Sequence, residues 1–150
     1  MTFDGRNGTR GARQPGGPLI KIANKLTMGR IRRKAGALLI LTTIGRKSGQ
    51  ERQSPLRWFP AGDTNAEGWL IVASAGGGAQ NPAWYYNLKA NPDQAWVELG
   101  DQKVAVTAEQ LHGAEHEAAW QRITTEAAQF AGYQTKTDRD IPVIKLTPRA

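Results

Sequence analysis

The chain has no cysteine. Disulfides, thiolate nucleophiles and cysteine-ligated zinc or iron–sulfur centres are excluded together, and the composition fits a reducing compartment. No apolar run approaches the roughly 20 residues of a membrane-crossing helix; the longest, Ala37–Leu41, has the length of a strand. No apolar stretch of signal-peptide length stands near the N-terminus, so a cytoplasmic location is expected. The G-x-S-x-G elbow of serine hydrolases is missing, and no G-x-x-x-x-G-K-[ST] frame surrounds Lys47-Ser48, so neither that chemistry nor a phosphate loop of the Walker type is supported. None of these absences prevents folding, because a 150-residue chain buries roughly 68–70% of its unfolded surface without staples.

What is present is positive charge, unevenly spread. The net charge is +7. Residues 30–57 carry Arg30, Arg32, Arg33, Lys34, Arg46, Lys47, Arg52 and Arg57 against Glu51 alone, whereas residues 58–150 are net acidic. One short segment thus holds a surplus equal to that of the whole chain, which points to an anionic partner there. Nucleic acid is disfavoured as that partner, since the cations are not interleaved with aromatics and no nucleic-acid-binding motif occurs.

Residues 1–18 are rich in Gly and Arg without apolar period and read as a disordered basic tail. Residues 19–34 form a basic amphipathic pattern, a helix that packs on the domain or lies on an anionic membrane. Strand-like runs follow at Ala37–Thr43, Gln53–Phe59, Trp69–Ser74, Ala95–Leu99, Lys103–Leu111 and Ile141–Leu146. Asn81-Pro82 reads as an N-cap followed by proline at the first position of a helix over Pro82–Ala90, and Gly113–Gln129 has helical period. Six short strands with few long crossovers predict a mainly β fold: a small, mostly antiparallel barrel with peripheral helices, residues 19–150 forming one domain.

Three clusters could carry chemistry. Gly45-Arg46-Lys47-Ser48-Gly49-Gln50, with Arg52 beyond, is a glycine-bounded turn bearing cations, a hydroxyl and backbone N–H groups, suited to phosphate or carboxylate; the plainer reading is a solvated basic turn. Ala73-Ser74-Ala75-Gly76-Gly77-Gly78 could form an anion-binding nest or an ordinary flexible loop. Trp84 and Leu88 share one helix face, which usually means core packing. His112-Gly113-Ala114-Glu115-His116 matches the H-x-x-E-H pattern formally, but His112 would precede the helix, so no metal site is expected.

Taken together, the segments LLILTTIGRKSGQERQSPL, IVASAGGGAQNPAWYYNLKANP and YQTKTDRDIPV, in that order between about Leu39 and Pro142, resemble the deazaflavin-dependent nitroreductase family of actinobacteria. The resemblance implies a split β-barrel like that of flavin-mononucleotide-binding proteins, often dimeric, and reduced coenzyme F-420 as hydride donor to a small acceptor such as a quinone, enone, activated alkene or nitro compound. It implies that Arg46, Lys47, Ser48 and Arg52 hold the phosphate and tail end of the coenzyme. Ser54, Pro55, Ala73, Ser74, Ala75, Gly76 and Gly77 would line the deazaflavin ring, with Ser74 and Tyr133 as candidate hydrogen-bond donors to the acceptor. The coenzyme's phosphodiester and oligoglutamate tail would account for the basic segment.

The chain departs from relatives that reduce bulky nitroimidazoles at Arg57 and Phe130, where they carry tyrosine, and at Ala75, where they carry lysine. Those changes put nitroimidazole reduction in doubt. Two alternatives stay open at this point: a non-catalytic carrier of F-420 or a lipid, and a flavin-mononucleotide enzyme on the same barrel. The basic 19–34 segment is compatible with peripheral membrane association, which would suit a quinone.

Overall fold

The structure, a computed structural model, describes residues 3–11 and 38–149. Seven strands form one antiparallel sheet: β1 (Leu38–Ile44), β2 (Glu51–Arg57), β3 (Phe59–Pro60), β4 (Trp69–Val72), β5 (Ala95–Leu99), β6 (Gln102–Gln110) and β7 (Val143–Pro148). Three helices accompany them: α1 (Ala83–Ala90), α2 (Gly113–Glu126) and α3 (Gln129–Lys136). The sheet order is β2-β1-β5-β6-β7-β4-β3, and it curls so far that β2 touches β4. This is the split barrel that the family resemblance implies, with seven strands rather than the six that the strand pattern predicts.

Burial follows the two-residue period of strands. On β4, Trp69 and Ile71 face the barrel interior, joined there by Leu39, Leu41, Val97, Val106, Ile144 and Leu146. Leu70 and Val72 face the other way, into a second cluster with Phe59, Val143, Ile123 and Phe130 under α2 and α3. A strand buried on both faces must be apolar at every position, which is why β4 reads Trp-Leu-Ile-Val. Pro55, which cannot donate to a ladder, sits on β2, at one end of the sheet order.

Helix α1 contributes Trp84, Tyr85 and Leu88 to the interior cluster. Each fully buried side chain of that size stabilises the fold by about 1.5–3 kcal/mol. Its start differs from expectation. Pro82 is the extended cap residue and the helix begins at Ala83, because the Asn81 side chain is occupied elsewhere: its Oδ1 accepts from Arg139 Nη1 at 2.8 Å and its Nδ2 donates to the Gly5 carbonyl at 3.2 Å.

Two further expectations need correction. The helical pattern over Gly113–Gln129 is broken: α2 ends at Glu126, Ala127 leaves helical geometry, and α3 begins at Gln129. The kink lets Phe130 meet Phe59 edge to face, with centroids 5.8 Å apart, while Ile123 and Ala127 stay in the same cluster. The expected disorder of residues 1–18 does not describe residues 3–11. Phe3 is buried in the barrel cluster, 5.5 Å from Tyr85 in a T-shaped pair, and the backbone beyond it runs as a strap over the 78–81 loop and the 135–138 segment. Gly8 N donates to the Ala79 carbonyl, Thr9 N to Asp138 Oδ1 and Arg10 Nη1 to the Thr135 carbonyl. The predicted amphipathic helix over 19–34 lies outside the described residues.

Candidate functional site

The turn between β1 and β2 is built by its own sequence. Gly45 N donates to the Gln50 carbonyl at 2.7 Å and Gly49 N to the Gly45 carbonyl at 2.8 Å. Gly49 has φ 71°, a left-handed conformation that costs glycine little. The Ser48 hydroxyl lies 3.2 Å from Gln50 N and 3.4 Å from Arg52 Nη2, so it joins the two ends of the turn.

Asn87, on α1, is a site residue the sequence did not reveal. Its Oδ1 accepts from Arg46 N at 3.1 Å, and its Nδ2 donates to Thr43 Oγ1 at 3.1 Å. It clamps the turn to the helix. Nearby, the Arg46 guanidinium lies over the Tyr86 ring, 4.9 Å from its centroid, a cation–π contact that orients the charge without neutralising it.

Between the turn and α1 lies a groove of about 370 Å³, lined by Gly45, Arg46, Lys47, Ser48, Arg52, Gln53, Ser54, Ala83, Trp84 and Asn87. Arg46, Lys47 and Arg52 are exposed, and among the described residues none is ion-paired. Three cations converging without a carboxylate repel one another, and an anion seated there would relieve that. Five of the predicted cofactor-binding residues (Arg46, Lys47, Ser48, Arg52 and Ser54) line this groove; Pro55 and Ala73–Gly77 do not. Trp84 has two roles, packing in the core and forming a groove wall.

The second predicted segment lies beyond β4. Ser74 is right-handed, with φ −78° and ψ −35°, and Ala75, Gly76 and Gly77 follow with φ 47°, 63° and 85°. Successive right- and left-handed residues turn their N–H groups to one concave side, the geometry of a nest. Gly77 N and Gly78 N donate back to the Ser74 and Ala75 carbonyls. The N–H groups of Ser74, Ala75 and Gly76 have no acceptor among the described residues. Helix α3 packs against this loop, and a Cβ on Gly77 would stand 2.8 Å from the Tyr133 carbonyl oxygen. Ser74 and Tyr133, predicted from distant parts of the chain, are thus on two elements in contact.

The loop is held from behind by Arg139, which is 3% exposed. Its Nε donates to the Gly78 carbonyl at 2.8 Å, its Nη1 to the Ala73 carbonyl at 2.9 Å and to Asn81 Oδ1 at 2.8 Å, and its Nη2 to the Ser74 carbonyl at 2.7 Å. Burial lowers the guanidinium pKa, yet arginine keeps its proton in proteins. Taking such a cation from water costs several kcal/mol; hydrogen bonds from a charged donor return about 1.5–3 kcal/mol each. Within Asp138-Arg139-Asp140 the residue looks like one of a run of surface charges, and although it lies in the YQTKTDRDIPV segment, nothing in the sequence marks it for burial.

The His112/His116 pair makes no metal site. His112 precedes α2, as expected, and its Nε2 lies 2.9 Å from Asp4 Oδ1. His116 Nε2 lies 3.0 Å from the Ile141 carbonyl oxygen, and among the described residues no cluster could hold a metal ion. Both histidines line a second cavity of about 600 Å³, between the strap and the 138–142 segment.

Comparison with known proteins shows the family. The family model described as F420H(2)-dependent quinone reductase matches residues 20–148. An F420H(2)-dependent quinone reductase of Mycobacterium tuberculosis is 36% identical over 150 residues, covering 98% of this chain and 85% of that protein. Among solved structures, an F420-H2 dependent reductase (FDR-A) superposes with a TM-score of 0.63 at 40% identity, over 73% of this chain and 93% of the other. A second, described as a domain-swapped dimer, gives a TM-score of 0.66 at 33% identity, over 87% of this chain and 99% of the other. More distant structures, such as a Vibrio cholerae heme storage protein with a TM-score of 0.53 at 14% identity, share the fold alone. The match to the family model over residues 20–148 and the 36% identity across 98% of the chain place it in the F420H(2)-dependent quinone reductase family.

Proposed function

We propose that the protein is a reductase that binds reduced coenzyme F-420 and passes hydride to a quinone. The observation that carries this reading is the groove between the β1–β2 turn and α1, where Arg46, Lys47 and Arg52 converge without an acidic partner among the described residues. Bound there, the coenzyme supplies the hydride chemistry. The residues fit it. Arg46, Lys47, Ser48 and Arg52 suit a phosphodiester and a polycarboxylate tail, and the N–H groups of Ser74, Ala75 and Gly76 suit ring carbonyl oxygens. Ser54 and Pro55 on β2, with Ala73 and Gly77 at the loop ends, complete the proposed ring pocket.

The protein's own work is to orient and to stabilise. Hydride arriving on a quinone builds negative charge on its oxygen, which a positioned hydroxyl can bind. The Ser74 and Tyr133 hydroxyls are the candidates, since neither has a hydrogen-bond partner among the described residues and the elements bearing them touch. Nitroimidazole and enone reduction are secondary readings; Arg57, whose guanidinium lies over the Phe59 ring at 5.1 Å, and Phe130 replace hydroxyls with a cation and a bare ring. A homodimer and membrane contact through residues 19–34 belong to the same proposal.

The extended tail site favours F-420 over flavin mononucleotide, which has a single phosphate, and the Ser74 and Tyr133 hydroxyls, borne on elements in contact, favour a reductase over a passive carrier. Fluorescence titration with F-420, repeated on Lys47→Ala, tests it. Micromolar or tighter binding that weakens in the variant, followed by oxidation of the reduced coenzyme on adding menadione, is the expected result. Absence of binding by the unaltered protein would refute the proposal, and binding without turnover of any acceptor would leave the carrier.

A further inference from the structure

We infer that Arg139 is the positioning residue of the ring pocket: it fixes the Ala73–Gly78 loop so that the N–H groups of Ser74 and Ala75 face the ligand. The inference rests on the proposed F-420 site and adds to it a residue that touches no ligand itself.

The argument is one of peptide geometry. In a trans peptide the C=O and the N–H of the same plane point in opposite directions. Arg139 binds the carbonyl oxygens of Ala73 and Ser74. The N–H groups of those two peptide planes belong to Ser74 and Ala75, and they must therefore point away from the guanidinium. Both lack an acceptor among the described residues. A guanidinium on the oxygen also polarises each peptide, making its N–H a better donor. A third bond, to the Gly78 carbonyl, fastens the far end of the loop.

The loop needs such fastening. Ala75 has φ 47°, a conformation that L residues with a side chain avoid and that persists only when its surroundings enforce it. Arg139 is itself fixed from behind. Its carbonyl accepts from Gln134 Nε2 at 2.7 Å, its N–H reaches Thr137 Oγ1 at 3.3 Å, and the Gln134 Oε1 accepts from Ile141 N at 3.2 Å. Gln134 follows Tyr133 on α3, so one side-chain network sets both the donor loop and the helix that carries the candidate hydroxyl. No other described cation enters the core in this way, and a residue with only a packing role would need neither the charge nor the fork of donors.

The test separates ring from tail. Affinities are measured for F-420 and for the tail-less 8-hydroxy-5-deazaflavin chromophore, with the absorption maximum of each bound form, on the unaltered protein, Arg139→Gln, Arg139→Lys and Lys47→Ala. Circular dichroism and Tm are recorded for each. Arg139→Gln is expected to weaken both ligands alike, by about tenfold or more, and to abolish the absorption shift, so that the ratio of the two affinities stays constant. Lys47→Ala is expected to weaken F-420 alone. If Arg139→Gln does not fold, Arg139→Lys decides, because it keeps the charge but not the fork; a weakened chromophore with an unchanged ratio supports the inference. Folded Arg139→Gln, or else Arg139→Lys, with unaltered chromophore affinity and absorption shift would overturn it. Failure of the unaltered protein to bind either ligand would instead overturn the proposed function, and this inference with it.

Discussion

At the scale of single residues, the site depends on polar side chains whose bonds hold other parts of the chain in place. Asn87 is 6% exposed and joins Thr43 of β1 to the backbone of Arg46. Replacing it with alanine leaves a buried hydroxyl and an N–H without their partner, at a cost of about 1–3 kcal/mol. In a domain of this size each kcal/mol lowers Tm by about 2–4 °C. Asn87→Ala is therefore expected to melt several degrees lower and to bind F-420 less tightly, while the tail-less chromophore binds as before. Differential scanning fluorimetry with both ligands measures this; equal weakening of the two would show that the turn does not hold the tail. Arg46, Lys47, Ser48 and Arg52 stand out in the sequence as a glycine-bounded basic turn, and only the family resemblance lifts that turn above a solvated surface loop. Asn87 and Arg139 do not, since their roles come from partners far along the chain: Thr43 for one, and Ala73, Ser74, Gly78 and Asn81 for the other. Asn81 carried a misleading signal, because an Asn before Pro imitates a helix cap while its side chain in fact joins the strap to Arg139.

At the scale of elements, the strands were the most legible part, since burial imposes the alternation of β5 and β6 and the unbroken apolar run of β4, and both show in the residue types. The break between α2 and α3 was invisible because no Gly or Pro stands at Ala127-Ala128. The strap was misread for a physical reason. Glycine-rich composition signals disorder, yet here it permits close approach: a Cβ on Gly5 would lie 2.8 Å from the Tyr85 hydroxyl, and one on Gly11 only 2.1 Å from Ala79 N. The strap's outer end is held by Asp138, whose carboxyl is pulled down to about 2, first by the Thr9 hydroxyl and then by the Arg10 N–H. Asp4, at its inner end, is lowered chiefly by its hydrogen bond with His112. Carboxyls depressed in the folded state stabilise it fully above their ordinary values and lose that contribution as pH falls through the folded ones. Strap docking is thus expected to be intact at pH 5 and to fail as the pH falls towards 2. Limited proteolysis with pepsin over that range, read by mass spectrometry, reports it. Asp138→Asn removes the titrating group and should flatten the dependence; an unchanged profile would assign the acid sensitivity to another group.

At the scale of the whole molecule, the charge map and the fold meet at one place. The barrel brings the basic β1–β2 turn beside α1, while the net acidic charge falls in the rest of the chain beyond Arg57. The uneven charge of the sequence points to an anionic partner near residues 30–57. It does not show that the tail groove and the Ser74–Gly77 loop are separate surfaces, because that depends on the curl of the sheet, with α1 set against β1 and α3 against the loop. This separation leads to a test of the full site. Tail binding rests on exposed cations, and salt screens exposed charges over a Debye length of about 10 Å at 0.1 M and about 3 Å at 1 M. Ring binding rests on backbone donors and burial, which salt barely affects. Raising ionic strength from about 0.05 to 0.5 M should therefore weaken F-420 by about tenfold or more, and the tail-less chromophore by less than about twofold. Isothermal titration at four or five salt concentrations gives both slopes. If the two slopes coincide, tail and ring do not occupy electrostatically distinct sites, and the basic turn must serve some other anion.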